Sequence, residues 1–288
     1  MNQSPILAVI GGSGLYEFPY LENTVTHEVE TPFGFPSSPI IVGELVGKKV
    51  AFLARHGIGH VYMPSEVNYR ANIFALKKLG VNRIVSISAC GSLREDFHPG
   101  DIVIPNQVVD LTHRRPRTFF GEGIVVHISV AEPFCESLSN LLIDAARSTE
   151  ANLHTCGTYV TIEGPRFSTK AESNLYREWG MSVIGMTACP EVFLAKEAEI
   201  CYATMAHVTD YDVWHISEKP VTAEMVVEVL NKNTSTAQKA ILELVKSLEE
   251  ENRCDCQHSL KDAIMTKRDK ISEEAQTKLA PILGKYLS

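Results

Sequence analysis

The sequence predicts a single α/β domain in which a central, twisted, mixed β-sheet is flanked by helices. Short apolar runs rich in β-branched residues alternate with longer stretches of helical periodicity over residues 1–250. No internal repeat or low-complexity linker interrupts this alternation. Strands that alternate with helices along a chain form a sheet with helices on both faces, which gives the fold class.

The predicted strands are short and apolar, as expected for mostly buried strands. They cover Ile6–Ile10, Pro39–Val42, Val50–Leu53, Arg83–Ser88, Ile102–Ile104, Tyr159–Ile162, Val183–Met186 and Ile200–Val208. The predicted helices are longer and repeat their apolar residues at helical spacing. They cover Ser65–Leu79, Ala131–Ala146, Thr169–Trp179, Glu191–Glu199 and Thr222–Leu248.

The end of the chain differs from the rest, so we divide it into a domain at residues 1–250 and a helical C-terminal extension at residues 251–288. The acidic run Glu249–Glu251 precedes the extension, and Ser259–Leu287 is amphipathic. An amphipathic segment needs a cover for its apolar face. We therefore expect the extension to pack on the domain or on a neighbouring subunit.

Charge and hydropathy exclude several classes of partner. The chain has 288 residues and a formal net charge of -8, whereas nucleic-acid binding draws on clustered Lys and Arg. Met1–Phe18 has no basic region ahead of its short apolar run, and no apolar stretch has the length that crosses a bilayer. We expect a cytoplasmic protein that binds neither nucleic acid nor membrane.

The cysteines are expected to be reduced, because no export signal accompanies them. Those in apolar segments are expected to be buried, namely Cys90, Cys135, Cys156, Cys189 and Cys201. Cys254 and Cys256 form a Cys-Asp-Cys in a polar stretch, where two exposed thiols are expected. Apart from His258, the local sequence offers no further ligand for zinc, so no metal site is predicted.

Three segments that follow predicted strands carry groups suited to an anion. The glycine-rich segment Gly11–Gly14 supplies backbone N–H groups, Arg55 and His56 supply side-chain donors, and Ser86–Ser92, which leaves a strand, supplies hydroxyls and small residues. Taken singly, each is also explained as a tight turn, a surface arginine or a structural histidine. Because all three follow strands, one shared anion site at the edge of the sheet is the better explanation.

Two later segments carry groups suited to a flat, nitrogen-rich ring. Phe167 can stack on a base, although a core aromatic beside a helix cap at Ser168 is an alternative. Asp210 and Asp212 follow a strand at i and i+2, which in an extended chain points both side chains the same way. Two converging carboxylates can bind a purine edge, and one of them can supply a proton. The alternatives for this pair are an Asx-turn and a metal site.

In this order, the segments resemble the 5′-methylthioadenosine phosphorylases of the trimeric purine nucleoside phosphorylase superfamily. The resemblance runs from Gly11 to about Leu248. It includes the strings LARHG (53–57), MPSEVNYRAN (63–72), ACGSLRE (89–95), AEPFC (131–135), TIEGPRFS (161–168), MTACPEV (186–192) and TDYD (209–212).

The resemblance implies a pentosyltransferase of purine and methionine salvage. Such an enzyme cleaves S-methyl-5′-thioadenosine to adenine and 5-methylthioribose 1-phosphate, with inorganic phosphate as co-substrate and no cofactor. The resemblance also implies a homotrimer or a dimer of trimers. The Cys-Asp-Cys resembles a feature of the thermostable archaeal-type branch, in which these cysteines take part in disulfide chemistry.

The site residues implied by the resemblance fall into two groups. The phosphate group consists of Ser13, Arg55, His56, Ser88, Ala89 through its backbone, and Thr187. The nucleoside group consists of Phe167 and Ser168 at the base, Met186 under the ribose, Asp210 and Asp212 at the purine, Val226 and Val227 at the 5′ substituent, and His127 in a neighbouring subunit's site. Asp210 is expected at ring nitrogen 7 and Asp212 near the exocyclic amine.

Three other functions compete with this one. A phosphorylase for S-methyl-5′-thioinosine or for purine nucleosides in general is disfavoured by the paired Asp210 and Asp212. An NAD-dependent dehydrogenase is disfavoured because Gly11–Gly14 departs from G-x-G-x-x-G and no clear acidic ribose ligand follows the second strand. A non-catalytic nucleoside-binding module would keep the fold without the activity, since a fold alone does not establish function.

Overall fold

A computed structural model describes residues 4–12, 18, 20–215 and 223–287, with the backbone alone described for residues 223–232. Ser13 lies outside the described residues, and so do the side chains of Val226 and Val227.

An 11-stranded mixed sheet forms the centre of the molecule. Its strands are β1 (Leu7–Gly11), β2 (Glu22–His27), β3 (Ile40–Leu45), β4 (Lys48–Ala54), β5 (Arg83–Ser92), β6 (Ile102–Val103), β7 (Gln107–Asp110), β8 (Leu153–His154), β9 (Thr158–Thr161), β10 (Val183–Gly185) and β11 (Cys201–Asp210). They are ordered β2-β3-β4-β1-β5-β10-β9-β7, with β11 paired to β5 and β6, and β8 paired to β6. Strands β1, β4, β5 and β11 run parallel, whereas β3 runs antiparallel to both β2 and β4.

The described helices are α1 (Tyr69–Lys78), α2 (Glu136–Arg147), α3 (Lys170–Glu178), α4 (Ala188–Glu197), α5 (Ala223–Ser247), α6 (Glu273–Lys278) and α7 (Ala280–Leu287). None of the helices within the described ranges combines the length and the apolar character that crossing a membrane requires.

Capping residues explain why the first helices begin later than predicted. The side chain of Asn68 accepts a hydrogen bond from the Ala71 backbone, so α1 begins at Tyr69. Cys135 caps α2 in the same way. Helix α3 is capped by Thr169 in a capping box with Glu172, so the alternative of Ser168 as its cap is wrong.

The helices pack on both faces of the sheet, which confirms the predicted fold class. Ala8 and Ile10 of β1 belong to a core cluster shared with α1, α4 and α7. Leu7 and Val9 of the same strand belong to a second cluster shared with α2 and α5. Because side chains alternate along a strand, a strand buried on both faces reads as a continuous apolar run.

The prediction missed the strands that carry little apolar sequence. Strand β2 is polar and largely exposed, and β7 is half-buried at the other end of the sheet path. Strand β5 extends beyond the predicted end at Ser88 as far as Ser92, because β10 and β11 both pair with its last residues. Pairing with neighbouring strands therefore determines where these strands form and end, and a local sequence pattern does not reveal that pairing.

The C-terminal extension adds α6, α7 and two short 3₁₀-helices, Asp255–His258 and Arg268–Lys270. Its apolar residues are buried in the same cluster as α1 and include Leu260, Ile271, Leu279, Ile282 and Leu283. At the surface, Lys285 forms an ion pair of 2.7 Å with the buried carboxylate of Glu199. The body of the chain itself thus covers the apolar face of the extension.

Two predictions about the cysteines are wrong. Cys156 is exposed, because it lies in the connection between β8 and β9 beside Gly157. Cys256 is buried and Cys254 is half-buried, because the first short 3₁₀-helix of the extension packs against the core cluster that contains α2.

Candidate active site

The ends of two parallel strands, β1 and β4, lie near the middle of a third, β5. In the sheet register, Gly11 lies beside Ala54 and Ile10 lies beside Ser86. The Arg55 backbone N–H donates to the Gly11 carbonyl at 3.0 Å. Gly11, the Arg55 segment and the middle of β5 are therefore neighbours, as a shared anion site requires.

Arg55 is buried to 1% exposure and is engaged by Glu191. Its Nε and Nη2 atoms donate to the two Glu191 carboxylate oxygens at 2.8 and 3.0 Å, and Nη2 also donates to Ser86 Oγ at 2.6 Å. Burial disfavours the charged guanidinium, but the Glu191 carboxylate outweighs that effect and raises the Arg55 pKa. The flat fork that we predicted for a pair of phosphate oxygens thus binds Glu191 instead.

One donor of Arg55 remains for a ligand. Nη1 donates to the Ile87 carbonyl at 3.2 Å, and its second N–H has no acceptor among the residues that the structure describes. At most one N–H group of Arg55 is therefore left without a protein partner, which is too few for the bidentate contact that we predicted.

His56 is held as a neutral ring with a defined tautomer. Its Nδ1 lies 2.9 Å from the Tyr62 carbonyl, which can only accept, so Nδ1 carries the hydrogen. Burial and the adjacent positive charge of Arg55 lower the His56 pKa to about 4. The ring stacks on His60 with centroids 4.3 Å apart. The remaining nitrogen, Nε2, carries a lone pair that can accept from a protonated phosphate oxygen.

Ser88 lies inside β5 as predicted, and Ala89 lies inside the strand as well rather than in a loop after it, because β5 continues to Ser92. The Ser88 hydroxyl is buried and completes no hydrogen bond within the described chain, although the Tyr159 hydroxyl is close enough to interact. Thr187 is the N-cap residue of α4, yet its side chain does not cap the helix. The Ser88 hydroxyl is thus without a partner among the described residues, and an uncompensated buried hydroxyl is costly.

The two predicted carboxylates converge on Gly91 of β5, which pairs with Asp210. A Cβ atom at Gly91 would lie 3.0 Å from Asp210 Oδ1 and 3.2 Å from Asp212 Cβ. The chain reaches this arrangement through a register shift between Val208 and Asp210 and a positive φ of 52° at Asp212. Asp210 and Asp212 therefore approach the same point on β5, but they do so through a tight turn and not through the extended segment that we predicted.

An Asx-turn fixes Asp210. Its Oδ1 accepts from the Asp212 backbone N–H at 2.7 Å, and its Oδ2 accepts from the Thr209 hydroxyl at 2.6 Å. Burial raises the pKa of Asp210 to about 6, although the two hydrogen bonds act to lower it. Burial also raises the pKa of Asp212, and the hydroxyls of Ser173 and Ser168 oppose that shift. From the sequence alone, an Asx-turn is an alternative to a functional role for Asp210. In the structure, the turn itself holds a carboxyl group whose pKa suits proton transfer.

Ser168, Phe167 and Met186 lie in the segments that precede α3 and α4. The Ser168 hydroxyl is close enough to interact with Asp212, although it completes no hydrogen bond within the described chain, and the adjacent Phe167 ring is 37% exposed. The Met186 side chain lies against Gly164, so the segment before α3 and the segment before α4 touch. The Ile162 backbone N–H also donates to the Gly185 carbonyl at 2.9 Å.

Arg115, which the sequence did not single out, holds these two segments together. Its Nη1 donates to the carbonyls of Met186 and Cys189 at 2.6 and 2.7 Å, and its Nη2 donates to the Glu163 carbonyl at 2.7 Å. Partial burial disfavours ionised Glu163, but hydrogen bonds from the Ser65 hydroxyl and two backbone N–H groups lower its pKa to about 2. Arg115, Glu163 and Glu191 gave no local sequence signal, because their partners are distant in the chain.

The anion donors and the acidic pair lie at two points along one strand. Arg55 contacts Ile87, and Asp210 pairs with Gly91, four residues further along β5. At the rise of an extended strand this separation is roughly 13 Å. His127 lies elsewhere: its backbone N–H donates to the Ala263 carbonyl of the extension at 2.9 Å, and its side chain is exposed.

The mixed sheet, the helices on both faces and a polar site along the central strand define a protein with the nucleoside phosphorylase fold. The chain belongs to the Phosphorylase superfamily, whose family model matches residues 6–246.

Similar proteins support this assignment over nearly the whole chain. An S-methyl-5′-thioadenosine phosphorylase of Hyperthermus butylicus is 54% identical over 90% of this chain and 95% of its own length. The crystal structure of a methylthioadenosine phosphorylase from an antarctic soil metagenomic library is 47% identical, has a TM-score of 0.93, and covers 98% of this chain and 100% of its own. A methylthioadenosine phosphorylase from Schistosoma mansoni in complex with adenine is 38% identical, with a TM-score of 0.86 over 92% of this chain and 99% of its own. The resemblance predicted from the sequence is confirmed.

Proposed function

We propose that this chain is a pentosyltransferase that uses inorganic phosphate to cleave S-methyl-5′-thioadenosine into adenine and 5-methylthioribose 1-phosphate. One observation carries the proposal: a buried carboxyl group with a pKa of about 6, that of Asp210, pairs with β5 at Gly91, and the same strand carries Ser88 and Ala89 two to three residues earlier. The similar proteins named as phosphorylases of this nucleoside support the same substrate.

The phosphate is bound by donors of several kinds. Arg55 supplies positive charge and its remaining N–H, Ser88 and Thr187 supply hydroxyls, and the backbone of Ala89 supplies an N–H. Ser13 adds a further hydroxyl from the glycine-rich segment. His56 accepts a hydrogen bond from a protonated phosphate oxygen through Nε2. Charge-assisted hydrogen bonds of this kind are stronger than neutral ones, which compensates for removing phosphate from water.

The purine is bound by the acidic pair. Protonated Asp210 donates to ring nitrogen 7, Asp212 accepts from the exocyclic amine, and Ser168 holds Asp212 in place. Phe167 stacks on the base, where an aromatic face contributes both area and geometry. Met186 lies under the ribose.

The reaction breaks one bond and forms another at the anomeric carbon. A phosphate oxygen forms a bond to that carbon, the bond to the purine nitrogen breaks, and its electron pair moves into the base. The Asp210 proton passes to ring nitrogen 7, so the base leaves neutral. The bound phosphate faces the positive charge that develops on the ribose. Holding both reactants in the correct relative position lowers the activation barrier by about 7–11 kcal/mol in well-oriented systems.

The 5′ substituent is recognised by Val226 and Val227 of α5. An apolar pocket favours a methylthio group over a hydroxyl, because a buried hydroxyl without a partner costs free energy. His127 contributes to the site of a neighbouring subunit in a homotrimer or a dimer of trimers. The chemistry needs no organic cofactor and no metal, and the enzyme works in the cytoplasm.

An assay of base release with and without phosphate tests the proposal. S-methyl-5′-thioadenosine, S-methyl-5′-thioinosine and adenosine are compared at equal concentration, and the sugar product is identified as the 1-phosphate. We expect phosphate-dependent release, with the highest kcat/KM for S-methyl-5′-thioadenosine. Base release that is independent of phosphate would identify a hydrolase, and no base release would identify a binding module. A preference for the inosine analogue would contradict the proposed substrate.

A further inference from the structure

Four cysteines from three distant parts of the chain form a cluster away from the proposed catalytic strand edge. Cys135 caps α2, Cys201 begins β11, and Cys254 and Cys256 belong to the extension. The four sulfur atoms all lie within 4.8 Å of one another. Within the described ranges, this is the single group of cysteine, histidine and carboxylate side chains with spacing suitable for a metal ion.

We propose that Cys135, Cys201, Cys254 and Cys256 bind one Zn²⁺ ion as a structural, four-thiolate site. Zinc binds thiolates at about 2.3 Å in a tetrahedron, which places the sulfur atoms roughly 3.8 Å apart. Cys135 and Cys254 have sulfur atoms 3.5 Å apart, close to that separation. The sequence concealed the site, because Cys135 and Cys201 are far from the Cys-Asp-Cys, and His258, the ligand weighed from local sequence, is not part of the cluster.

The mutual approach of all four sulfur atoms favours a metal over a pair of disulfides. Two disulfides require only two close pairs, whereas a tetrahedral ion requires every pair to be close. Only one residue separates Cys254 from Cys256, less than the usual two to four in zinc sites. The 3₁₀-helix Asp255–His258 turns the chain at this point, so both sulfur atoms still reach the cluster.

The surroundings suit thiolate ligands. The Leu138 backbone N–H donates to Cys135 Sγ at 3.4 Å, and Asn252 Nδ2 donates to Cys201 Sγ at 3.4 Å. Hydrogen bonds from a second shell orient metal ligands in this way. A Zn²⁺ ion with four thiolates has a net negative charge, and Arg83 and Lys196 are close enough to interact electrostatically with these sulfur atoms.

A surface groove gives the ion a route to the cluster. The groove has a volume of about 490 Å³ and is lined by Cys135, Cys254 and Cys256 together with Lys196 and Arg253. Binding exchanges thiol protons for the ion, so the site forms most readily near neutral pH and above. A bound ion would tie the extension to α2 and β11 and add binding free energy to folding.

Metal content and sulfur oxidation state test the site directly. The full chain is expressed with zinc, purified with reductant and without chelator, and measured by elemental analysis and by intact mass without reduction. We expect about one zinc per chain, as for a closed four-ligand site. Replacing the zinc with Co²⁺ should give the absorption of tetrahedral thiolate-bound cobalt.

Matched variants separate this cluster from the other thiols. The double variant Cys254→Ser/Cys256→Ser should lose zinc and have a lower Tm. Cys156→Ser removes an exposed cysteine outside the cluster and should keep the zinc content and the Tm of the wild-type protein. Wild-type protein with no bound zinc and four reactive thiols, or with the mass of two disulfides, would overturn the proposal. Because the readout is metal rather than turnover, the outcome is independent of the proposed reaction.

Discussion

Asp210 combines burial with an unusually complete set of local hydrogen bonds. Its carboxyl group sits over Gly91, accepts from Asp212 and Thr209, and has little access to water. Burial penalises the charged form more than these hydrogen bonds favour it, so the pKa rises to about 6. The group therefore keeps a transferable proton closer to neutrality than an exposed aspartate does.

The first prediction concerns the pH dependence of Asp210. Below pH 6 the raised pKa leaves the carboxyl protonated and able to donate, and above pH 6 the donor is lost. We expect kcat/KM to fall toward about tenfold per pH unit on the alkaline side of this pKa. Initial rates across pH 5 to about 9 at saturating phosphate measure it.

Asp210→Asn provides the control, because it removes the titrating group but keeps the shape. The variant should lose about 10²–10⁴-fold in kcat/KM, the usual contribution of general acid catalysis. The pH profile of its kcat/KM should also lose the decrease that begins near pH 6, while any decrease due to phosphate ionisation remains. An unchanged limb in the variant would assign the titration to another group.

The second prediction concerns the buried Ser88 hydroxyl. Ser88→Ala removes a donor to phosphate, and a hydrogen bond to a charged group contributes about 1.5–3 kcal/mol. We expect the KM for phosphate to rise by roughly 10- to 150-fold with little change in the KM for the nucleoside. Steady-state kinetics with each substrate varied in turn check this result.

Ser139→Ala is a suitable control, because Ser139 also has a buried hydroxyl without a partner within the described chain but lies on α2. It should leave both KM values unchanged. If Ser88→Ala raised the two KM values equally, Ser88 would not be a phosphate ligand.

At the scale of elements, β5 organises the site. It pairs with β1, β10 and β11, and it presents the Ile87 carbonyl, Ser88 and Gly91 along its length. In the proposed site, the same strand thus lies under both reactant groups. A change in its backbone position would alter the distance between phosphate and base.

The third prediction tests the space over β5. Gly91→Ala places a Cβ atom 3.0 Å from Asp210 Oδ1, so the carboxyl group must move. We expect kcat/KM to fall by about 10- to 100-fold, as for small displacements of catalytic groups. Gly284→Ala is the control, because nothing lies within 4 Å of its added Cβ and alanine favours the helix. Equal activity in the two variants would show that Asp210 tolerates displacement.

The fourth prediction concerns the ion pair that joins the end of β4 to α4. Glu191→Gln leaves the buried guanidinium of Arg55 without a counter-charge. Breaking one partner of a buried pair typically lowers the free energy of unfolding by about 3–5 kcal/mol. Denaturant unfolding measures the loss.

Glu243→Gln provides the comparison, because Glu243 pairs with Lys246 at the surface. Exposed pairs contribute at most about 1 kcal/mol, so this variant should be nearly neutral. A similarly small effect for Glu191→Gln would mean that Arg55 does not depend on Glu191 for its charge.

At the scale of the whole molecule, the extension completes one of the two largest core clusters of the described residues. Leu283 and Ile282 of α7 pack in the cluster that contains α1 and α4, and the segment around Val126 pairs with Ile264. The extension is thus part of the folded unit rather than an appendage. Stability and the position of His127 both depend on it.

The fifth prediction tests this dependence. Leu283→Ala should lower the free energy of unfolding by about 2–5 kcal/mol, the usual cost of removing a buried leucine side chain. Met265→Ala, at a position in the extension that is 63% exposed, should change it by less than about 0.5 kcal/mol. Thermal unfolding of both variants provides the measurement, and equal Tm values would show that the extension does not stabilise the body.

The sequence by itself determined the fold class, the family and the residues whose chemistry is visible in short segments. Apolar runs such as the one in β1 are buried on both faces, so their composition alone identifies them as strands. Asp210, Asp212 and Ser88 can be recognised in the sequence because each carries a polar group at or just after the end of a predicted strand. These features depend on neighbours in the chain, which a sequence records directly.

Only the tertiary structure decided what each group faces. It directs the fork of Arg55 to Glu191, sets Arg115 between two loops, and gathers Cys135 and Cys201 with the Cys-Asp-Cys. It also makes β2 a strand through pairing with β3, although its sequence is polar. Each of these features depends on contacts between residues far apart in the chain, and burial and partnership at that range follow from packing rather than from local pattern.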